Sequence, residues 1–318
     1  MAKGAGLELD ERDLARAHVV RELLLVPPGR VDLSAVNPRA TPGLPDTVGE
    51  LKRDPKAWAR SEVARLGVGL ALNEQCLFAR AAVAGEERRL LVVFQALDCG
   101  GKDGTIKNVI GTMNPQGVRI TAFGPPTEEE RRHDFLWRIR RALPGAGRVG
   151  VFNRSHYEDV LVARVRGLVP AKTWRKRYDA INRFESKLMA KGFTLVKVML
   201  HISYDEQRQR LLERLTDPTK RWKFNPSDLE DRDRWSDYQA AYEEAISRCS
   251  LDGAGWYVVP ADRKWYRNWA VANVLLACLA DMKLTFPDVA LDIEKFRKQL
   301  ESDKHPVPAS GKRRVNKG

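Results

Sequence analysis

The segment LDCGGKDGT, residues 97–105, combines glycines, a lysine and two acids in a pattern that suits phosphate chemistry. Lys102 follows a glycine, as in a phosphate-binding loop, but Ala96 replaces the first glycine of that pattern and Asp103 replaces its Ser or Thr. The glycines that let the backbone curl so that N–H groups point inward are Gly100, Gly101 and Gly104. A helix N-terminus and the lysine add positive charge, so the segment predicts an anion site.

Two carboxylates inside an anion site need a physical reason. At ~4 Å a carboxylate and a phosphate repel each other by roughly 1 kcal/mol even in water, and by more in a dry site. A divalent cation between them removes this repulsion. Since Asp103 stands where Ser or Thr ordinarily holds Mg²⁺, we expect Asp98 to hold the metal. Asp103 is expected to cap the following helix, and Thr105 to add a phosphate contact.

A second polar cluster, NRSHYED at 153–159, follows another apolar run. Ligands of doubly wound sheets bind at the carboxyl ends of the strands, so this cluster is expected to face the same crevice as the loop. Arg154 is expected to clamp phosphate oxygens, which a planar guanidinium does better than an ammonium group. Either Asp159 or Glu158 is expected to complete the metal shell begun by Asp98.

A basic segment lies further along the chain. Residues 208–223 hold six basic and two acidic residues, and Arg210 and Arg214 lie four apart on one helical face. Residues 228–234 hold four acidic and two basic residues. We interpret the basic part as a lid that closes over a polyanion. The acidic part either pairs with the basic part or is a solvated surface.

The elements that must position these residues alternate in type. Short β-branched runs, typical of strands buried on both faces, lie at 90–97, 118–123, 148–153, 193–200 and 256–260. Helical patterns lie at 55–84, 103–113, 127–142, 171–191, 204–216, 236–249 and 264–284. The alternation predicts an α/β fold with a five-stranded parallel sheet and helices on both faces.

The pattern divides the chain into three parts. Residues 1–48 are expected to form an N-terminal extension, and 49–285 the main domain, with a lid at about 208–235. Residues 286–318 are expected to form a C-terminal helix and a basic, disordered tail.

Composition narrows the class of partner. Of 318 residues, 55 are Lys or Arg and 42 are Asp or Glu, a net charge of +13 that indicates an anionic partner: nucleic acid, phosphate polymer or nucleotide. The four cysteines are dispersed along the chain, so we expect neither a disulfide framework nor a structural zinc site. Their dispersal fits a reducing cytosol. No apolar run approaches the length of a membrane span or a signal core, so we expect a cytoplasmic protein without a membrane partner.

Four motifs in sequence order carry a family resemblance: QALDCGGKDGTIK, FNRSHYEDVLVARV, RLTDPTKRWKF followed by DLEDR, and WYVVPADRKWYRNW. Over about residues 50–285 the chain resembles the family-2 polyphosphate kinases, most closely the subgroup that accepts both AMP and ADP. The resemblance implies a P-loop kinase fold with a helical lid. It also implies reversible, direct, Mg²⁺-dependent transfer of a phosphoryl group from inorganic polyphosphate to AMP or ADP, giving ADP or ATP, with Mn²⁺ as an alternative metal. Homodimers or homotetramers are implied as well.

The resemblance also implies roles for matched residues. It makes Asp98 and Lys102 the essential loop pair, and Asn153 and Arg154 contacts to nucleotide or phosphate. Asp159 would support the metal or the acceptor phosphate, and Arg214 would be the transition-state arginine. The lid contacts to the polyphosphate chain would be Lys220, Arg221 and Lys223. The remaining phosphate- or nucleotide-binding residues are expected to be Gly100, Gly101, Gly104, Thr105, Glu158 and Arg210. The sequence departs from the family at Cys99-Gly100, where two alanines are usual, and we expect a more flexible loop there.

Two other interpretations remain open. A nucleotide kinase with ATP as donor would share the fold, lid and metal. A basic nucleic-acid-binding protein without catalysis would share the charge, but it does not need Asp98 beside Lys102, and no specific nucleic acid is expected as partner.

Overall fold

The computed structural model describes residues 10–45 and 52–303, and a single parallel sheet lies at its centre. The strands are β1 (Arg89–Gln95), β2 (Val118–Ala122), β3 (Val149–Asn153), β4 (Phe193–His201) and β5 (Trp256–Pro260). Their order is β2-β3-β1-β4-β5, and every neighbouring pair is parallel. The predicted five-stranded parallel sheet is confirmed. The order places the loop after β1 between the ends of β3 and β4.

Helices cover both faces of this sheet. In chain order they are α1 (Glu11–Leu24), α2 (Pro55–Ala84), α3 (Lys102–Asn108), α4 (Glu128–Arg131), α5 (Trp137–Ala142), α6 (Val162–Val165), α7 (Ala171–Met189), α8 (Tyr204–Thr216), α9 (Ser227–Asp233), α10 (Trp235–Arg248), α11 (Lys264–Asp281) and α12 (Ile293–Ser302). None of the helices in the described ranges is both long and apolar enough to cross a bilayer. The segment from residue 287 onward, which contains α12, forms a separate unit.

The central strand β1 shows why the sheet needs cover on both sides. Leu90, Val92 and Phe94 belong to one apolar core, while Leu91 and Val93 belong to the other. All five side chains are at most 1% exposed. Because successive side chains of a strand point to opposite faces, an uninterrupted apolar run of this kind requires helices on both.

The N-terminal extension packs on this same body from residue 10 onward. Ala17, Val20 and Leu24 of α1 are buried in the core that α2 and α11 share. The backbone N–H of Val26 donates to the carbonyl of Trp256 in β5 at 2.9 Å. Residues 1–9 and 46–51 lie outside the described part, as does the basic tail at 304–318.

The helix expected over 127–142 is divided into α4 and α5 by a turn. Asp134 causes the interruption. Its carboxylate accepts from the N–H of Leu136 at 3.0 Å, and its carbonyl accepts from the N–H of Trp137 at 2.9 Å. A short polar side chain thus offers the backbone an alternative to the helical bond and starts a new helix.

A buried charged cluster supports the turn His156–Asp159, which carries two of the predicted site acids. Lys197 of β4 is fully buried, and its Nζ donates to Glu185 Oε2 at 2.6 Å and to the carbonyl of Cys249 at 2.5 Å. Tyr157, within the turn, donates its hydroxyl to Glu185 Oε1 at 2.8 Å. Burial opposes ionisation of Glu185, but the charge of Lys197 prevails and lowers the pKa of this carboxyl.

Replacing Lys197 by Met should therefore destabilise the fold strongly, because Glu185 would remain buried without its lysine and with only His156, at 3.1 Å, as a basic neighbour. We expect a loss of about 3–5 kcal/mol in the free energy of unfolding, measured by urea denaturation. Lys187→Met, at an exposed position of the same helix as Glu185, should change that free energy by less than ~0.5 kcal/mol. Equal stability of the two variants would contradict this account.

Candidate active site

The loop between β1 and α3 has a backbone that only particular residues permit. Gly101 lies at φ 104° and Cys99 at φ 61°, both in the left-handed region. A Cβ on Gly101 would lie 1.7 Å from Nη1 of Arg267, and a Cβ on Gly100 would lie 2.5 Å from Cβ of Ala96. Lack of space explains the glycine at position 100, which the sequence had suggested as a source of flexibility.

The carbonyl groups of residues 96–99 in this loop accept from donors of the protein. The carbonyl of Ala96 accepts from Nζ of Lys102 at 2.8 Å, and that of Leu97 accepts from the N–H of Gly100 at 3.0 Å. Lys102 is only 8% exposed, and burial, helped by the charge of Arg154, lowers its pKa. Two of its three ammonium protons remain for a ligand.

Helix α8 provides the donors to the next two carbonyl groups of the loop. Gln207 donates to the carbonyl of Asp98 at 3.0 Å, and Arg210 donates to that of Cys99 at 2.9 Å. Arg210 also donates to the carboxylate of Glu206 and to the carbonyls of Ala261 and Asp262. Four of the five N–H donors of Arg210 are thereby engaged, so this arginine holds the loop to α8 and β5. Its predicted phosphate contact stays a prediction.

Asp98 and Arg154 form an ion pair at the tip of the loop. Nη2 of Arg154 donates to Oδ1 of Asp98 at 2.9 Å, across from β1 to β3. Arg154 also has a left-handed backbone, with φ at 63°. For a residue with a Cβ this conformation costs about 1–3 kcal/mol, and such strain is characteristic of functional sites.

The capping role expected for Asp103 is wrong. Gly101 is the N-cap of α3, and no side chain caps this helix. The Asp103 carboxylate instead accepts from Nδ2 of Asn153 at 2.8 Å and lies 3.8 Å from Nζ of Lys223. Asp103 therefore connects the loop, the end of β3 and the lid.

The two neighbouring acids after β3 face different surroundings. Burial raises the pKa of Glu158, Arg154 opposes this rise, and the charge of Asp98 adds to it. Asp159 instead pairs with Arg177 of α7, with 3.0 Å between Oδ1 and Nη1. The charge of Asp98 thus affects the pKa of Glu158 but is not among the causes that shift the pKa of Asp159. The metal role of Asp159 stays a prediction.

In the lid segment, residues 208–235, one ion pair joins the basic part to the acidic part and a second lies within the basic part. Arg214 lies 3.1 Å from Oδ2 of Asp228 and donates to the carbonyl of Lys223 at 3.1 Å. Of the alternatives for the acidic part, pairing with the basic part is the one observed at Asp228. Lys220 pairs with Asp217 at 2.8 Å.

Two cavities meet at this site. The smaller, of about 510 Å³, is lined by most of the predicted residues: Asp98, Gly100, Gly101, Lys102, Gly104, Asn153, Arg154, Arg210, Arg214, Lys220 and Lys223. The larger, of about 670 Å³, is lined by Glu158 and Asp159, and its apolar wall includes Leu161, Val162, Leu168 and Val169. Asp98 and Arg154 line both cavities.

Two predicted residues line neither cavity. Thr105 is fully buried, and Arg221 donates to the carbonyl of Leu215 at 2.9 Å. Conversely, sequence reasoning missed several lining residues, namely Arg138, Arg177, Gln207, Asp228 and Lys264. The sequence offered a signal for two of these. Arg138 lies in HDFLWRIRR, which is rich in basic and aromatic residues, and Lys264 lies in WYVVPADRKWYRNW, one of the four motifs that carry the family resemblance.

The carboxylates of the site suit the expected Mg²⁺. Within residues 10–45 and 52–303, no three His, Cys, Asp or Glu side chains converge on one point. This fits Mg²⁺ in a phosphate site, because that ion keeps several waters and binds one or two carboxylates together with substrate phosphates. Asp98 suits the role, since Arg154 occupies only one of its carboxylate oxygens.

Gly101→Ala should damage the loop. A left-handed alanine costs about 1–3 kcal/mol, and its Cβ would displace the Arg267 guanidinium. Tripolyphosphate is expected to raise the melting temperature of the native chain. For the variant we expect lower stability and loss of that rise, both measured by thermal unfolding. Gly145→Ala, where a Cβ meets no atom within 4 Å, should leave both unchanged. Wild-type behaviour of the Gly101 variant would contradict the proposed strain.

Asp228 should make stability pH-dependent. Burial, followed by the charge of Asp98, raises its pKa to about 6, although Arg214 opposes the rise. An aspartate whose folded-state pKa exceeds the unfolded value of about 3.9 destabilises the fold as it ionises. Asp228→Asn should therefore gain stability relative to the native chain as pH rises from about 4 to about 6, and keep that gain above 6.

Urea unfolding at several pH values measures this difference. Asp233→Asn, at an exposed position of the same helix, is the matched control and should show no such trend. A stability difference for the Asp228 variant that is constant with pH would contradict the interpretation.

Comparison with known proteins identifies the family. The family model of polyphosphate kinase 2 matches residues 70–287. An AMP/ADP-polyphosphate phosphotransferase of Meiothermus ruber is 48% identical over 257 residues, 79% of this chain and 96% of that protein. An ADP-polyphosphate phosphotransferase of Rhodopseudomonas palustris is 43% identical over 68% of this chain and 81% of its own length.

A solved structure agrees with these matches. The crystal structure of polyphosphate kinase 2 from Arthrobacter aurescens is 44% identical and superimposes with a TM-score of 0.84, covering 90% of this chain and 98% of that one. The phosphate loop, the paired cavities and the lid described above thus lie in a shared fold, and the chain belongs to the polyphosphate kinase 2 family.

Proposed function

We propose that this protein transfers phosphoryl groups between inorganic polyphosphate and nucleoside mono- and diphosphates, converting AMP to ADP and ADP to ATP. The observation that carries the proposal is the Asp98–Arg154 pair at the junction of two cavities. The smaller cavity joins a phosphate loop to lid lysines, and the larger has an apolar wall. The names of the relatives from M. ruber and R. palustris support the same chemistry.

The smaller cavity suits a polyanion. Lys102, Lys220, Lys223 and Lys264 line it, together with the guanidinium of Arg214. These cations offset the mutual repulsion of successive phosphates, and the net charge of +13 favours encounter with such a polymer. The N-terminus of α3 adds its dipole at the loop.

The larger cavity suits a nucleotide. Its apolar wall of Leu161, Val162, Leu168 and Val169 can cover a base and ribose, while Arg154 at the junction can bind the phosphates. Such a placement would bring an acceptor phosphate toward the donor phosphate on the loop, which suits direct in-line transfer.

The chain's own residues supply positioning and charge. Lys102 and the loop N–H groups would hold the donor phosphate, and Arg154 and Arg214 would stabilise the charge on the transferred group. Release of Arg214 from Asp228 precedes that contact in this scheme. No general base is required, because an acceptor phosphate is already anionic at neutral pH. Mg²⁺, or Mn²⁺ in its place, would be held by Asp98 and would supply charge neutralisation between donor and acceptor oxygens.

Further properties are proposed from the family resemblance alone. They are reversibility and assembly as a homodimer or homotetramer. A cytoplasmic location is proposed separately, from the four dispersed cysteines, which fit a reducing cytosol.

A donor and acceptor screen tests the function. The chain is incubated with Mg²⁺, polyphosphate as sole donor, and AMP or ADP in turn, and the nucleotides are separated by chromatography. We expect ADP from AMP and ATP from ADP. Phosphorylation of AMP only with ATP as donor would favour an ordinary nucleotide kinase instead, and salt-sensitive DNA binding without any transfer would favour a nucleic-acid-binding protein.

Asp98→Ala tests the metal assignment in the same assay. Turnover should fall about a hundredfold or more, because a bound metal contributes several kcal/mol of transition-state charge stabilisation. Asp179→Ala, at an exposed position of α7, is the control and should keep wild-type turnover. Near wild-type, metal-dependent turnover in the Asp98 variant would refute the assignment.

A further inference from the structure

Arg267, in the first turn of α11, is a buried charge without an acidic partner. Its side chain is 3% exposed. Among the described residues, no carboxylate lies within 4 Å of it. Its Nη2 and Nε donate to the amide oxygen Oδ1 of Asn268, at 2.9 and 3.2 Å. Burial, followed by the charge of Arg210, lowers the pKa of Arg267 to about 9. Within the part of the chain that the structure describes, no carboxylate therefore compensates this buried cation.

The guanidinium of Arg267 lies against the phosphate loop. Its Nη1 is 1.7 Å from the point where a Cβ of Gly101 would stand, and its Nη2 is 3.0 Å from the corresponding point of Gly104. The two glycines therefore leave the space that this group fills. No other side chain of the described residues approaches both glycines in this way. The guanidinium charge thus lies directly against the backbone of the two loop glycines.

The position of Arg267 is unfavourable for the helix that carries it. Cations near a helix N-terminus oppose the helix dipole. Yet α11 begins after Arg263 with Lys264, contains Arg267 in its first turn, and has no acidic residue there. Lys264 lines the smaller cavity. Lys264 and Arg267 are well placed for a bound polyanion, whose charge the dipole also favours, whereas Arg263 is exposed and lines neither cavity.

An isolated charge removed from water destabilises a fold unless an opposite charge compensates it. Arg267 lies against the loop to which the proposed function assigns the donor phosphate. We propose that Arg267 is a positioning residue of the phosphate loop. In this proposal, inorganic polyphosphate bound on the loop supplies the negative charge that compensates the Arg267 guanidinium. This inference rests on the proposed function. It does not require Arg267 to touch the ligand, since the glycines allow its field to act through the backbone.

The inference predicts opposite effects on two measurements. Arg267→Met keeps the length of the side chain and removes its charge. In thermal unfolding without ligand, its melting temperature should equal or exceed that of the native chain. Tripolyphosphate with Mg²⁺, which should raise the melting temperature of the native chain, should raise that of the variant by less than half as much. The kcat/KM for polyphosphate should fall at least about tenfold.

Arg263→Met is the matched control, because it removes an exposed arginine charge from the start of the same helix. It should retain the native tripolyphosphate response. Arg267→Lys keeps the charge and should recover more of that response than the methionine variant. A merely structural role would give another pattern: lower stability of Arg267→Met without ligand and an unchanged rise with tripolyphosphate. That pattern would overturn the inference.

Two further conditions keep the experiment decisive. If the methionine variant does not fold, Arg267→Gln, which is neutral but polar, replaces it under the same criteria. The native chain must first show transfer from polyphosphate to ADP. Absence of that transfer refutes the proposed function, whereas transfer in the native chain with an equal tripolyphosphate response in the neutral variants refutes only the role of Arg267.

Discussion

The loop at residues 96–101 can present N–H groups to an anion only because the carbonyl groups of residues 96–99 bind elsewhere. The donors to these carbonyls are Lys102, the N–H of Gly100, Gln207 and Arg210. Buried carbonyls without donors would each destabilise the loop, so these four contacts determine its shape. Helix α8 must therefore pack next to β1, which the sheet order β1-β4 permits.

The same requirement explains why arginines of similar sequence context act differently. Arg210 and Arg214 are one helical turn apart on α8, yet Arg210 is buried among carbonyls, whereas Arg214 faces Asp228 in the lid. The first contact holds the loop and leaves that guanidinium little capacity for a ligand. The second can be exchanged for a phosphate, since an ion pair with a single carboxylate is readily replaced by another anion.

Charge in this site is arranged so that each acid near the phosphate position has a cation beside it. Asp98 has Arg154, Asp103 has Lys223, and Asp228 has Arg214. The apparent conflict of acids in an anion site is thus reduced even before a metal is considered. Glu213 likewise has Lys264 at 3.2 Å, so the excess of positive charge falls on Lys102 and Arg267, which lie against the loop.

The sequence by itself determined the sheet, the loop and most of the smaller cavity, because buried strands and glycine-rich turns are encoded by local patterns of side chains. It failed where a short polar group competes for the backbone, as at Asp134, and where a long side chain selects its partner, as at Asp103 with Asn153. Only the tertiary structure decided which carbonyl or carboxylate each arginine meets. A guanidinium reaches several ångströms from its Cα in many rotamers, so its partner depends on which elements pack around it, and Arg267 beneath Gly101 is the clearest instance.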